Sequence, residues 1–132
     1  MNLNEVMHRY ANEIGGTYSD YDSTKSIIIV PLKDDRFQTV LGHVKFLSHH
    51  NKKIIELRSK VCEFDNSIDM KELLEMNTEL VHAKFAISDG TLQVEASVNI
   101  ENISEQQIKE IIQEVAITAD EYEFKLTGQD VN

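Results

Sequence analysis

Residues 82–100 have the sequence HAKFAISDGTLQVEASVNI, which contains the clearest strand-turn-strand pattern of the chain. Asp89-Gly90 in its middle is typical of the two-residue type I′ turn that joins neighbouring antiparallel strands. Successive side chains of a strand point to opposite faces of the sheet. The segment therefore predicts a hairpin with one apolar and one polar face. After the turn, apolar side chains occupy every second position, at Leu92, Val94, Ala96, Val98 and Ile100.

Three further segments are predicted to be strands. Ser26 to Leu32 is apolar on both faces, so we expect it to lie inside the sheet, with Pro31 near its end. Phe37 to Leu47 and Lys53 to Cys62 flank the polar turn at residues 48–52. These two arms predict a long hairpin, because apolar and polar residues alternate in the second of them.

Three helices are predicted, because each of three segments opens with a capping signal. In this signal a polar side chain caps the first turn, and a Glu or Gln follows three residues later. The first helix is expected to stop at Gly15-Gly16, the second at about Glu79, and the third at about Leu126, just before Gly128. The capping pairs are Asn2 with Glu5, Asp69 with Glu72, and Ser104 with Gln107.

The predicted elements follow the order α-β-β-β(-β)-α-β-β-α. Long β segments with hairpin connections predict an antiparallel sheet of about five to six strands, with helices packed on one face. This is an α+β fold. The sequence contains no internal repeat, low-complexity tract or linker, so residues 1–132 are expected to form a single domain.

Composition limits the classes of partner and the location. The 132 residues include 13 basic and 23 acidic side chains, a formal net charge of −10, so we expect no nucleic-acid partner. The longest apolar run, Ile27 to Leu32, is far too short to span a membrane, and the N-terminal residues lack the pattern of a signal peptide. The single cysteine, Cys62, fits the reducing cytoplasm, where we expect the protein to reside.

The negative charge is concentrated in one half of the chain. Residues 1–66 contain 9 basic and 9 acidic side chains, whereas residues 67–132 contain 4 basic and 14 acidic ones. An acidic half can steer in a partner that carries a basic segment. It can equally be a solvated surface that keeps a small protein soluble, and the sequence leaves both interpretations open.

The third predicted helix has apolar residues on two sides. The core stripe is Ile108, Ile111, Ile112, Val115, Ala119, Tyr122 and Leu126. Ile117 and Phe124 fall on almost the opposite side, among the acidic residues Glu114, Asp120 and Glu121. We expect Ile117 and Phe124 to form an apolar contact with a second copy or a partner, surrounded by these carboxylates. The alternatives are that this end of the helix packs under another segment of the chain, or that both residues are ordinary exposed hydrophobic residues.

The candidate catalytic residues do not form a motif. His49-His50 lies in a turn, where neighbouring side chains diverge and no further ligand stands at metal-binding spacing. His43 and His82 have no nucleophile nearby in the sequence, and Cys62 resembles a small core residue at a strand end. We therefore expect no enzyme activity, no metal site and no cofactor.

From the second helix onward the chain resembles the YbjN and type III secretion chaperone-like superfamily. The resemblance rests on residues 73–77, 83–90, 92–96, 119–123 and 126–130, together with residues 36–40. It implies a small α+β domain with the order α-β-β-β-α-β-β-α. Secretion chaperones of this fold are small acidic homodimers that hold an unfolded stretch of a secreted partner in extended form, whereas YbjN-like members are linked to regulatory roles. The superfamily provides no catalytic residues to assign here.

These observations together predict a non-catalytic protein-binding domain, chaperone-like or regulatory, that forms a homodimer and binds a protein or an extended peptide. One alternative is a toxin-neutralising immunity protein, for which small size and acidity also fit. A less favoured alternative is a small-molecule binder or enzyme whose site forms only in three dimensions, for example around His43 or His82.

Overall fold

The computed structural model describes residues 1–128 and 130–132, which form three α-helices and six β-strands. Gln129, which belongs to the last segment of the family resemblance, lies outside the described residues. A left-handed turn at Lys33–Asp35 and a single-turn 3-10 helix at Ile100–Asn102 connect longer elements. In chain order the elements are α1 (Leu3–Ile14), β1 (Thr17–Asp20), β2 (Lys25–Pro31), β3 (Phe37–Leu47), β4 (Lys52–Glu63), α2 (Met70–Asn77), β5 (Lys84–Ser88), β6 (Thr91–Asn99) and α3 (Glu105–Thr127).

All six strands form one antiparallel sheet with the order β1-β2-β3-β4-β6-β5. Strands that follow one another in the chain are neighbours in the sheet, except for β4 and β5. The chain leaves β4 through α2, and β6 lies between β4 and β5. The short strands β1 and β5 are therefore the two edges of the sheet. The predicted α+β class, its antiparallel sheet and its order of elements are confirmed.

The core lies between the sheet and the two long helices. The sheet register places Ile28 opposite Val40, and both side chains are fully buried. Gly42 allows α1 to approach β3 closely, because a Cβ atom there would lie 2.5 Å from the Met7 sulfur. The buried side of α3 comprises Ile108, Ile111, Ile112, Val115, Ala116, Ala119 and Tyr122. The helical period predicts this stripe except for two residues: Leu126 is exposed, and Ala116 is buried although it is not in the predicted stripe.

Local hydrogen bonds explain where the elements begin and turn. The side chains of Asn2, Asp69 and Ser104 each accept a hydrogen bond from the backbone N–H three residues later, as the capping signals predict. Asp89 (φ 51°) and Gly90 (φ 74°) both have left-handed backbone angles, which a type I′ turn requires.

Differences from the prediction include the end of α2, which lies at Asn77 and not at about Glu79, the start of β5 and the presence of β1. The strand predicted from His82 begins at Lys84, because the backbone N–H groups of residues 81–83 bind a side chain of α3 instead of a neighbouring strand. The four-residue strand β1 was not predicted as a separate element. In the described part of the chain, no helix combines the length and apolar character needed to cross a membrane.

Candidate protein-binding surfaces

A compact loop between β2 and β3 aims Arg36 at α3. Asp34 and Asp35 both have φ angles of 58°, a left-handed conformation in which Asp is tolerated better than most residues. The Leu32 N–H donates to the Arg36 carbonyl at 2.8 Å, and the Arg36 N–H donates to the Lys33 carbonyl at 3.1 Å. These two bonds close the loop and fix the direction of the Arg36 side chain.

Arg36 binds Asp120 through two parallel hydrogen bonds. Its Nε donates to Oδ1 at 3.0 Å and its Nη2 donates to Oδ2 at 2.9 Å. Asp120 is only 2% exposed, and hydrogen bonding to it raises the pKa of Arg36 above its usual value. This two-bond geometry is directional, so it joins the loop and α3 in one arrangement.

The guanidinium of Arg36 also covers one face of Phe124, with its central carbon 4.5 Å from the ring centroid. Phe124 is nevertheless 49% exposed. Ile117, which precedes Asp120 by one helical turn on α3, is 42% exposed. Ile117 lines a small cavity of about 170 Å³ together with Leu32 and other residues of the loop and α3. We call the area formed by Leu32, Arg36, Ile117 and Phe124 the Arg36 surface.

The predicted acidic surround divides into internal and outward-facing carboxylates. Asp120 is buried against Arg36, and Glu114 binds backbone groups of the chain itself. Glu121 is exposed and lines the cavity beside Ile117. The contact role of Ile117 and Phe124 stays a prediction, and of the three carboxylates Glu121 alone faces outward beside them.

Glu114 holds the loop that leads from α2 into β5. Its two carboxylate oxygens accept hydrogen bonds from the backbone N–H groups of Val81 at 2.9 Å, His82 at 2.7 Å and Ala83 at 2.6 Å. Burial raises the pKa of Glu114, but the three N–H donors outweigh it and leave the pKa below its usual value. The loop is therefore fastened to α3 by one carboxylate.

An apolar groove runs between α2 and the edge strand β5. We call it the α2–β5 groove; it is lined by Met70, Leu73, Leu74, Phe85 and Ile87, and its volume is about 200 Å³. The Phe85 ring at its base packs against the Tyr122 ring in a T-shaped arrangement, with 4.7 Å between centroids. The exposed fractions of Leu74, Met70 and Ile87 are 62%, 44% and 43%. Sequence reasoning missed this groove, although Met70 and Leu74 stand four residues apart on one helix face.

The C-terminal residues lie across the start of β3. Asp130 accepts a hydrogen bond from the Phe37 N–H at 2.9 Å, and the Asn132 carbonyl accepts one from the Thr39 N–H at 2.7 Å. Glu123, which is 1% exposed, accepts from the N–H of Asn132 at 3.1 Å. Burial raises the pKa of Glu123 above its usual value, although these donors favour the charged form.

The candidate catalytic residues lie apart from one another. His43 on β3 lies opposite Glu56 on β4 in the sheet register. Burial, followed by the charge of Lys25, lowers the pKa of His43. Burial raises the pKa of the Cys62 thiol, which makes it a weaker nucleophile at neutral pH. His82 is exposed in the loop before β5. Within residues 1–128 and 130–132, no three His, Cys, Asp or Glu side chains are placed to hold a metal ion.

Comparison with known proteins identifies a solved structure of the same fold. The chain is similar to a chain in the crystal structure of the ExsC–ExsE complex, with a TM-score of 0.61 over 96% of both chains and 14% sequence identity. At this identity the similarity shows the fold alone. No family model matches the chain. No curated protein matches it either.

The structural similarity agrees with the α+β fold that the sequence resemblance implies. Membership of the YbjN and type III secretion chaperone-like superfamily stays a prediction.

Proposed function

We propose that this chain is a non-catalytic protein-binding domain, chaperone-like or regulatory, that works as a homodimer. The observation that carries the proposal is the Arg36 surface. There, two large apolar side chains, Ile117 and Phe124, are exposed on a helix that the Arg36–Asp120 pair holds in place. The chain of similar fold comes from the structure of a complex between two proteins, which supports a binding role.

The chemistry of the Arg36 surface suits contact between proteins. Arginine and aromatic side chains are enriched at the centres of protein interfaces. The charge of Arg36 is already compensated by Asp120, so a partner can cover Phe124 without leaving an unpaired cation behind. A preformed surface also loses little conformational freedom on binding, which favours affinity.

A second copy of the chain is the occupant we propose for the Arg36 surface. Two identical surfaces related by a two-fold axis must be complementary to themselves. Lys33 and Glu121 border the cavity beside Ile117 and have opposite charges, so each can face the other residue of the second copy. The Arg36 surface therefore carries both charges, whereas the second half of the chain is acidic on the whole. The lone thiol of Cys62 fits the cytoplasmic location that we propose with this role.

The experiment compares two double variants by light scattering over a range of protein concentrations. Ile117→Asp with Phe124→Asp places two charges on the Arg36 surface and is expected to yield monomers. Tyr21→Asp with Phe46→Asp is the matched control, because these residues are also exposed (69% and 57%) but belong to other parts of the molecule. The control is expected to keep the mass of the wild type.

Partner binding is measured on the same variants. Proteins captured from the native host are identified by mass spectrometry, produced in pure form, and titrated against each variant. The proposal predicts that the Ile117→Asp, Phe124→Asp variant loses dimerisation or partner affinity while its circular dichroism spectrum is unchanged. If both properties survive in that variant, the Arg36 surface is not a binding surface and the proposal fails.

A further inference from the structure

We propose that residues 130–132 form a strap that closes a fork in the sheet when Glu123 takes up a proton, and that the closed strap holds the Arg36 surface in place. The closing of the strap by a proton does not depend on the proposed function. Its link to the Arg36 surface rests on that function, so the experiment measures the two parts separately.

The fork lies between the start of β3 and the end of β4. The pairing of these two strands runs along β3 from Leu41 to Leu47. β3 nevertheless begins at Phe37, and β4 continues to Glu63. The strands therefore separate at this end of the sheet, and the backbone groups that face each other across the gap need other hydrogen-bond partners.

The strap supplies partners to both arms of the fork. On β3, the Thr39 N–H donates to the Asn132 carbonyl at 2.7 Å. On β4, the Val61 carbonyl accepts a hydrogen bond from the Asn132 side-chain amide at 3.2 Å. The strap thus takes the place of the missing ladder between the two strands, and it forms one wall of an adjoining cavity of about 340 Å³.

Glu123 of α3 holds the strap from the buried side. Its Oε2 accepts hydrogen bonds from the backbone N–H groups of Val131 at 3.3 Å and Asn132 at 3.1 Å, and from the Asn132 side-chain amide. Its Oε1 is buried and has no hydrogen-bond partner among residues 1–128 and 130–132. A proton on Oε1 would remove a costly buried charge and leave Oε2 free to accept the bonds from the strap.

The groups around Glu123 favour this proton. Burial raises the pKa of Glu123, and the negative charge of Asp130 on the strap raises it further. The Glu123 carboxylate also acts on the Cys62 thiol of β4, and Asp130 acts on Arg36, which is already bound to Asp120. The other charged groups that act on Cys62 are Asp65, Glu63 and Lys60.

The sign of the pH dependence follows from the raised pKa. Opening the strap would expose Glu123 to water and return its pKa toward the ordinary value of 4.5. The proton is therefore bound more tightly when the strap is closed. Its stabilising effect is fully present below pH 4.5 and is lost as the pH rises through the higher pKa of the closed form. The strap should accordingly open more often in alkaline solution.

The closed strap touches both elements that build the Arg36 surface. Asp130 accepts a hydrogen bond at 2.9 Å from the N–H of Phe37, which directly follows Arg36 in the chain. On α3, Glu123 directly precedes Phe124. When the strap opens, the Phe37 N–H and the Glu123 carboxylate both lose their bonds to it. The Arg36–Asp120 pair alone then joins the loop to α3 at this surface.

The test measures the protection of the Thr39 N–H from amide exchange by nuclear magnetic resonance between pH 5.5 and pH 8. Protection is expressed relative to the intrinsic exchange rate at each pH. In the wild type we expect it to fall about tenfold over this range, as it does when the closed form binds one proton about ten times more tightly. The Val44 N–H, which donates to Thr24 at the other end of β3, is the internal control.

Three variants isolate the role of Glu123. Glu123→Gln keeps an acceptor oxygen but cannot ionise, so its Thr39 protection should not change with pH. Glu110→Gln removes an exposed carboxylate of the same helix and should keep the response of the wild type. Asp130→Ala with Asn132→Ala removes the side-chain anchors of the strap. This double variant should lower Thr39 protection about tenfold at every pH and leave Val44 unchanged.

Light scattering of diluted samples at pH 5.5 and pH 8 gives the dimer dissociation constant for the same variants. We expect the wild-type dimer to weaken about tenfold at the higher pH, and the Glu123→Gln dimer to change less. Because other groups also change charge over this range, the comparison of Glu123→Gln with Glu110→Gln isolates the effect of Glu123.

The outcomes separate this inference from the proposed function. Thr39 protection that is constant with pH, or that changes equally in the wild type and Glu123→Gln, overturns the inference whatever the oligomeric state. A responsive strap beside a dimer whose pH dependence is the same in both proteins overturns the link to the Arg36 surface. A responsive strap in a protein that is monomeric at every pH supports the strap and contradicts the proposed dimer.

Discussion

Glu114 offers the sharpest test of how this structure is held together. Replacing it by alanine removes the acceptor of three backbone N–H groups, those of Val81, His82 and Ala83. The Ala83 N–H is partly buried and cannot be fully rehydrated, whereas the other two donors lie in exposed surroundings and can bond to water. The cost should therefore come mainly from one of the three bonds.

The expected loss follows from that division. A buried hydrogen bond to a charged group contributes about 1.5 to 3 kcal/mol, and exposed ones contribute much less. We expect Glu114→Ala to lower the free energy of unfolding by about 2 to 3 kcal/mol. Glu114→Gln retains one acceptor oxygen, so its expected cost is about 1 to 1.5 kcal/mol. Glu110→Gln is the control, because Glu110 is exposed on the same helix.

The assay is urea denaturation followed by circular dichroism at a series of pH values. The pKa of Glu114 is lowered in the folded state, so its stabilising contribution is present above the unfolded pKa of 4.5 and is lost as the pH falls through the folded value. The difference between wild type and Glu114→Gln should accordingly shrink below pH 4.5. At neutral pH a loss of about 2 kcal/mol shifts the urea midpoint by about 1 M.

Two results would refute this reasoning. One is a Glu114→Ala variant whose urea midpoint equals that of Glu110→Gln at neutral pH. The other is a difference between wild type and Glu114→Gln that stays constant from neutral pH to well below 4.5. Either would mean that the Glu114 carboxylate does not hold the loop before β5.

Three further predictions concern packing, charge and turn geometry. Gly42→Ala is expected to lower the free energy of unfolding, measured by urea denaturation, by about 1 to 3 kcal/mol, because the new methyl group meets the Met7 side chain. Gly15→Ala is the comparison that separates crowding from backbone strain, because Gly15 has a positive φ but open space around it. Glu123→Gln should show the opposite pH trend to Glu114→Gln, because burial raises the pKa of Glu123. The wild type should gain stability relative to this variant as the pH falls from neutral toward 4.5. A stability difference that stays constant over this pH range would contradict the prediction. Gly90→Ala should lower the free energy of unfolding by about 1 kcal/mol, because a side chain disfavours φ of 74°; unchanged stability would argue against the type I′ turn.

Features that depend on neighbouring residues could be predicted from the sequence. The helix start at Ser104 and the turn at Asp89-Gly90 follow from hydrogen bonds and backbone angles within four residues, so their patterns are visible in a single chain. The strand β1 could not be predicted in the same way. Its sequence, Thr-Tyr-Ser-Asp, is short and mostly polar, and it becomes a strand because the apolar β2 lies beside it.

The candidate surfaces show where single-sequence reasoning ends. The helical period places Ile117 and Phe124 on the side of α3 away from the core, and both are exposed. The same reasoning directs Asp120 outward, whereas the structure buries it against Arg36, 84 positions away in the chain. No local pattern connects residues so far apart, because the pair depends on how the β2–β3 loop meets α3.

The ring contact between Phe85 and Tyr122 gives the protein a built-in optical probe. The chain has 4 tyrosines and no tryptophan, so its ultraviolet fluorescence comes from tyrosine alone. Tyr122 is 6% exposed and touches the ring at the base of the α2–β5 groove. Filling the groove changes the surroundings of that ring pair, and the emission of Tyr122 can therefore report occupancy without any attached dye.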